Sequence, residues 1–296
     1  MTFTTLIDAA SLQAILGDPG IVVLDCRFDL SNPEGGLRAY LAGHIPGARF
    51  ADLNKDLSAP VNSDSGRHPL PDPQVLAAAL ERLGIGDQTQ VIAYDEVNGS
   101  FAARAWWLLR WLGHGPVAVL DGGLKAWIAA GGSLQSGDDK ALPAENLSAV
   151  RFTPRADASA VVGTEQVASL LSDPRQVLVD ARLPERFTGV VEPIDAVAGH
   201  IPGALNHPFT RNLQQDGRFL KAPELRRLWE ERLKGQPPRH VVAMCGSGVT
   251  ACHNLLSLEV AGLSGAKLYA GSWSEWIRDP TRPTASGAEQ PSEHKM

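Results

Sequence analysis

Apolar residues along this chain fall into short uninterrupted runs, separated by stretches with helical spacing. Ile21-Val22-Val23-Leu24 and Val177-Leu178-Val179 have no polar alternation, as strands buried on both faces require. Between such runs, residues 73–83 place Val75, Leu76, Ala79 and Leu83 at helical spacing, and Gly84 follows as a stop signal. Leu225, Leu228 and Trp229 repeat that pattern later in the chain. Val241–Met244 reads as a further strand, and Ala251, Leu255 and Leu258 then start a helix that Gly262 closes. Strand and helix alternation predicts α/β domains with mostly parallel sheets. Ligands of such sheets bind beyond the carboxyl ends of the strands, which is where Asp95 and Cys245 fall.

The pattern is written twice. Ala42-Gly43-His44-Ile45-Pro46-Gly47-Ala48 recurs as Ala198-Gly199-His200-Ile201-Pro202-Gly203-Ala204. Leu24-Asp25-Cys26-Arg27 matches Val179-Asp180-Ala181-Arg182, and Val91-Ile92-Ala93-Tyr94-Asp95 matches Val241-Val242-Ala243-Met244-Cys245. Leu120-Asp121-Gly122-Gly123 before Trp127 matches Tyr269-Ala270-Gly271-Ser272 before Trp276. A repeat of that length is a whole domain rather than one turn of a solenoid. The expected organisation is an N-terminal domain over 1–138, a linker over 139–155, a second domain over 156–284 and a flexible tail over 285–296. The linker is rich in small and polar residues, among them Pro143.

Composition narrows the function classes. The 296 residues are 44% hydrophobic and 20% charged, enough for two cores. A net charge of -6 without basic blocks argues against nucleic acid or an anionic membrane as partner. The three cysteines, Cys26, Cys245 and Cys252, do not make a disulfide framework. The first residues lack a signal-peptide pattern, and no apolar run reaches membrane-spanning length. A soluble, cytoplasmic protein is expected. Cys245, Cys252 and His253 do not have zinc-ligand spacing, so no metal is expected.

The chemistry concentrates in Cys245-Gly246-Ser247-Gly248-Val249-Thr250, a glycine-containing loop between a predicted strand and a predicted helix. Two glycines let the backbone curl so that several N–H groups point inward, and the helix N-terminus adds positive partial charge. A sulfur anion at Cys245 would be stabilised there and would act as a nucleophile.

This loop resembles that of the two-domain rhodanese family of sulfurtransferases, and most closely its 3-mercaptopyruvate sulfurtransferases. The resemblance extends through the two Gly-His-Ile-Pro-Gly-Ala segments and the paired strand ends, over nearly the whole chain. It implies two tandem rhodanese-like domains, each a mostly parallel five-stranded sheet flanked by helices, with only the second domain catalytic. Asp95 at the first domain's counterpart position cannot carry sulfur. The implied cycle takes sulfur from a small anionic donor onto Cys245 as a persulfide. Sulfur then passes to a thiol such as thioredoxin or a small thiol, or to cyanide, without a metal or organic cofactor.

The family's site residues carry over unevenly. Ser247 and His68 match the catalytic serine and histidine. The family's acidic partner falls on Asn54, which leaves Asp52, Asp56 or Asp64 open. Gly246, Ser247, Gly248, Val249, Thr250 and Arg186 match donor-binding positions. The family's second donor-binding arginine should follow Glu192-Pro193, where this chain has Ile194-Asp195. Arg182 or a basic residue of the other domain is left to replace it. His44 and His200 occur in both repeats and are expected to be structural, as are Asp25, Asp180, Cys26, Cys252 and the tryptophans 106, 107, 273 and 276.

Competing functions are a thiosulfate sulfurtransferase, whose loop usually carries basic residues, and a non-catalytic rhodanese-like binding module. A cysteine phosphatase would need an arginine at position 251, where the chain has Ala251.

Overall fold

The computed structural model describes residues 2–137, 150–171, 173 and 175–289, and the chain forms two compact units. The first comprises Met1–Pro60, Leu70–Asp157 and Leu213–Phe219; the second comprises Val61–Pro69, Ala158–Asn212 and Leu220–Met296. Each unit thus takes in a short segment from the other half of the sequence. None of the helices among the described residues is long and apolar enough to cross a membrane.

The first unit is a parallel sheet in the order β1-β5-β4-β2-β3. Its strands are β1 (Leu6–Ile7), β2 (Ile21–Asp25), β3 (Arg49–Phe50), β4 (Gln90–Tyr94) and β5 (Val117–Leu120). Its helices are α1 (Ala9–Ile15), α2 (Gly35–Ala42), α3 (Pro73–Arg82), α4 (Ala102–Trp111) and α5 (Gly123–Ala129). Val23, Ile92 and Ala118 form the sheet side of a core closed by Leu12, Leu124 and Trp127. The side chain of Asp72 accepts the backbone N–H groups of Gln74 and Val75 and starts α3, with Pro73 fixing the first turn. The buried face of α3 is Leu76, Ala79 and Leu80, whereas Val75 is 65% exposed. The phase differs from the expected one because three alanines leave two apolar faces, and only the sheet decides between them.

The second unit repeats the plan with α6 (Thr164–Leu170), β6 (Val177–Asp180), α7 (Pro184–Thr188), β7 (Leu205–Asn206) and α8 (Ala222–Leu233). It continues with β8 (Val241–Met244), α9 (Thr250–Val260), β9 (Lys267–Leu268) and α10 (Ser272–Trp276). The sheet is parallel in the order β7-β6-β8-β9. Phe187, Trp273 and Trp276 pack on Val242 and Met244 in its core. The fifth strand expected here is reduced to one parallel bridge, Val161 to Leu268. A 3-10 turn over Ala158–Ala160 coils the chain immediately before it and stops the pairing from extending.

The duplicated residues make matched scaffold contacts. Cys26 N–H donates to Tyr94 O at 2.8 Å, and Ala181 N–H donates to Met244 O at 2.8 Å. His44 stacks on Tyr40 and bonds its carbonyl, while His200 stacks on Phe187 and bonds its carbonyl. Asp25 and Asp180 each hold an arginine, Arg27 and Arg182.

The expected linker lies outside the described residues up to position 149. Residues 150–155 run along the first unit, where Asp87 N–H donates to Arg151 O and Arg155 N–H to Leu112 O. Of the expected tail, Ala285 pairs with His200 and Glu289 with Arg232; residues 290–296 lie outside the described residues.

Candidate active site

Cys245 sits at the carboxyl end of β8, 2% exposed, where the chain leaves a central strand. Its Sγ accepts the backbone N–H of Gly248 at 3.1 Å and that of Ser247 at 3.5 Å. The curl that aims these donors needs Gly248 at φ +78°, where a Cβ would lie 2.4 Å from Ala270 O. The start of α10 pins the loop from outside. Trp273 N–H donates to Cys245 O at 3.0 Å and Ser274 N–H to Gly246 O at 2.9 Å. Cys245 N–H in turn donates to Ser272 Oγ at 3.0 Å. Ser272 holds φ +54° at the position where the first repeat has Gly123, also at positive φ. A non-glycine residue costs energy there, and its hydroxyl is what satisfies the buried cysteine N–H.

His68 reaches this loop because residues 61–69 belong to the second unit. Ser274 Oγ accepts Arg67 N–H at 3.1 Å, and Arg278 Nε donates to Ser65 O at 3.2 Å. At Gly66 a Cβ would lie 2.6 Å from Gly271 O, so only glycine allows the close approach. The segment so held places His68 Nδ1 2.7 Å from Ser247 Oγ, both residues buried. The predicted serine–histidine pair is therefore assembled.

The carboxylates left open for the acidic role make local contacts. Asp52 caps its own turn through Asn54 N–H and Lys55 N–H. Asp56 accepts Asp52 N–H and pairs with Arg82, and Asp64 accepts Ser63 Oγ on an exposed turn.

A run of alternating charges borders the loop. Arg186, on α7, gives Nε and Nη2 to Glu192 and Nη2 also to Asp195 at 2.9 Å. Asp195 is bonded through its other oxygen to Arg67 Nη1. Burial works against the Glu192 charge, but the Arg186 guanidinium and two backbone N–H groups outweigh it and hold the carboxyl below its usual range. Burial pushes Asp195 upward, with Arg67 pulling against it. Arg182, one candidate to replace the missing arginine, spends Nε and Nη2 on the scaffold, while its buried Nη1 makes no hydrogen bond. It bonds Asp180 and Gly199 O, and its guanidinium lies 4.9 Å from the Trp273 ring centroid. Val249 and Thr250 lead into α9, and the Cys252 thiol donates to Gly248 O at 3.2 Å.

In the first unit the counterpart loop after β4 is filled from within. The Asp95 carboxylate accepts N–H groups of Gly99, Phe101 and Ala102, further along its loop than the two positions whose N–H groups meet the sulfur in the second unit. No cluster of His, Cys, Asp and Glu able to hold a metal occurs among the described residues.

Arg67, Asp195, Glu192 and Ser272 were not singled out for roles at this site from the sequence. Two left a signal. Asp195 stands where an arginine was expected, and Ser272 breaks a glycine match between the repeats.

The sequence profile of the rhodanese-like domain matches residues 8–130 and 163–279. A Pseudomonas aeruginosa protein named "Probable 3-mercaptopyruvate sulfurtransferase" is 51% identical, with 97% of this chain and all of that protein covered. A Mycobacterium tuberculosis protein with the provisional name thiosulfate sulfurtransferase SseB is 42% identical over 95% of this chain and 97% of its own. Among solved structures, SseA of Escherichia coli, described with the 3-mercaptopyruvate sulfotransferases, superposes with a TM-score of 0.78 at 34% identity, covering 92% of this chain and all of that one.

Proposed function

The chain belongs to the rhodanese-like domain family and is a sulfurtransferase; we propose that it moves sulfur from 3-mercaptopyruvate through a persulfide on Cys245 to a thiol or to cyanide. The observation that carries this reading is the Cys245 sulfur held by two loop N–H groups beside a bonded Ser247–His68 pair.

The chemistry follows from those contacts. The Cys245 thiolate attacks the donor's sulfur, an S–S bond forms, and the donor's carbon–sulfur bond breaks. The electron pair stays on the carbon as the enolate of pyruvate. The proton that began on the donor thiol is moved by Ser247 and His68 to that carbon, giving pyruvate. The persulfide sulfur is an anion, and the loop N–H groups of residues 246–250 with the N-terminus of α9 stabilise it. An acceptor thiolate or cyanide then attacks the outer sulfur and returns Cys245 as thiolate. Arg186 binds the donor carboxylate. No metal or organic cofactor takes part. The first domain, 1–138, is non-catalytic because Asp95 occupies its cradle, and the catalytic domain spans 156–284. The acceptor in the cell is a thiol such as thioredoxin or a small thiol, and the compartment is a reducing cytoplasm.

Thiosulfate is the second reading, favoured by the Arg67 guanidinium against Gly246, which gives a neutral loop a cation. Parallel steady-state transfer to cyanide decides between them. A higher kcat/KM with mercaptopyruvate is expected; a preference for thiosulfate overturns the donor assignment while leaving the Cys245 chemistry intact.

A further inference from the structure

Residues 189–198 of the second unit are folded inside out. Their two acids turn inward: the side chains of Glu192 and Asp195 are each 4% exposed and held by Arg186. Their apolar side chains turn outward. Val190 is 78% and Val191 50% exposed, and Ile194, Val197 and the preceding Leu183 are exposed too. Single exposed apolar residues are ordinary, but several along one short segment mark a surface that something else covers. The outward side chains are not the product of a slack loop. Val191 N–H donates to Glu185 O at 3.1 Å, Ile194 N–H and Asp195 N–H donate to Glu192 Oε1 at 3.1 and 3.0 Å, and Trp273 Nε1 donates to Val197 O at 2.9 Å.

The domain plan does not require this segment. In the first unit, Tyr40 gives its carbonyl to His44, and only residues 41–42 lie between Tyr40 and Gly43. In the second unit, Phe187 gives its carbonyl to His200, and residues 188–198 lie between Phe187 and Gly199. The added residues belong to the unit that carries Cys245. They fold back on Arg186, whose Nη1 would lie 3.4 Å from a methyl group built on Gly246. A partner seated on their apolar face is therefore close to the residue that follows Cys245.

We propose that the apolar face made by Leu183, Val190, Val191, Ile194 and Val197 docks the sulfur acceptor when that acceptor is a folded protein presenting its thiol on an apolar surface. This rests on the reading of Cys245 as the sulfur carrier, and the test separates the two. Cys245 is 2% exposed, so a protein thiol must be carried in on a projecting surface, and the surface around it needs a counterpart beside the loop. Cyanide and small thiols reach the sulfur without one. A second copy of this chain does not fit the role, because its Cys26, Cys245 and Cys252 are all buried. An anionic membrane does not fit either, because residues 183–197 set Glu185, Glu192 and Asp195 against Arg186 alone. The docked thiolate attacks the outer sulfur of the persulfide. A new S–S bond forms on the acceptor, the bond to Cys245 breaks, and its electron pair leaves Cys245 as thiolate.

The test compares three acceptors on the full chain, with whichever of 3-mercaptopyruvate and thiosulfate the protein prefers as donor. They are thioredoxin kept reduced by its reductase and NADPH, dithiothreitol, and cyanide. With the two dithiols, the second thiol displaces the transferred sulfur as hydrosulfide and closes a disulfide, so released sulfide reports transfer. Val190→Ser combined with Val191→Ser should raise the thioredoxin KM about tenfold and leave the kinetics with dithiothreitol and cyanide within about twofold. Val190→Leu combined with Val191→Leu should keep the thioredoxin KM within about twofold of the unaltered protein. A thioredoxin KM that the serine pair leaves unchanged overturns the inference, and so does a loss shared by all three acceptors or a leucine pair as impaired as the serine pair. An unaltered protein that transfers to cyanide but not to thioredoxin also overturns it, and leaves the Cys245 reading standing. Failure with every acceptor overturns that reading instead.

Discussion

Gly248→Ala is the substitution that most sharply separates the loop geometry from a generic reactive cysteine. The added Cβ would sit 2.4 Å from Ala270 O and 3.0 Å from Ala270 Cα, both backbone atoms. It would also hold an L-residue at φ +78°. The left-handed conformation costs about 1–2 kcal/mol, and relieving an overpacked backbone contact costs about 1–3 kcal/mol. A loss of about 3 kcal/mol is expected, which corresponds to a Tm lowered by roughly 10 °C for a domain of this size. The same shift moves the Gly248 N–H away from Cys245 Sγ, and losing one such anion-stabilising donor lowers kcat by about a hundredfold. Gly246→Ala is the control. Gly246 is not at positive φ, and its Cβ would meet only the ends of two arginine side chains. Its Tm should fall by far less while donor KM rises. Thermal melting followed by circular dichroism, with thiocyanate formation as the activity assay, reads both. A Gly248→Ala protein with unaltered Tm and kcat would refute the loop geometry on which the mechanism depends.

Arg186→Ala removes the guanidinium proposed to bind the donor carboxylate and should raise the mercaptopyruvate KM about tenfold or more; unchanged kinetics with both donors would misplace the binding site. Ser272→Ala keeps the strained φ of +54° and strips the acceptor from buried Cys245 N–H. It should therefore melt below Ser272→Gly, which relieves the strain, and equal melting temperatures would contradict this. His207 is buried against Trp229, and burial holds its pKa down to about 4 from an ordinary 6.5. The unfolded chain takes up this proton near 6.5 and the native state resists it. Stability is thus full above that pH and is lost as pH falls toward 4, by on the order of 3 kcal/mol. His207→Gln should flatten that part of the urea-midpoint profile relative to the unaltered protein, and an identical slope would count against the buried neutral imidazole.

The central strands β2, β4, β6 and β8 were legible in the sequence because burial on both faces leaves continuous apolar runs. The duplication told which loops correspond, and paired glycines around Ser247 marked the one that curls. Edge strands were not legible: β3, β7 and β9 each have two residues, too few for any period to show. At the site, His68 was found through its resemblance to a family position, while its neighbour Arg67 carried no local pattern. Its partner Asp195 lies 128 residues away, and only the folded chain brings the two together. Sequence comparison between the repeats recorded Ser272 as a mismatch with Gly123, but its meaning depends on a backbone angle.

The central claim is that sulfur passes through Cys245, and the direct measurement is intact-peptide mass spectrometry after brief exposure to 3-mercaptopyruvate without acceptor. The account predicts one added sulfur atom on the Cys245 peptide, removed by cyanide as thiocyanate, and absent in Cys245→Ser together with all turnover. Sulfur found on Cys26 or Cys252 instead, or turnover that survives in Cys245→Ser, would contradict it.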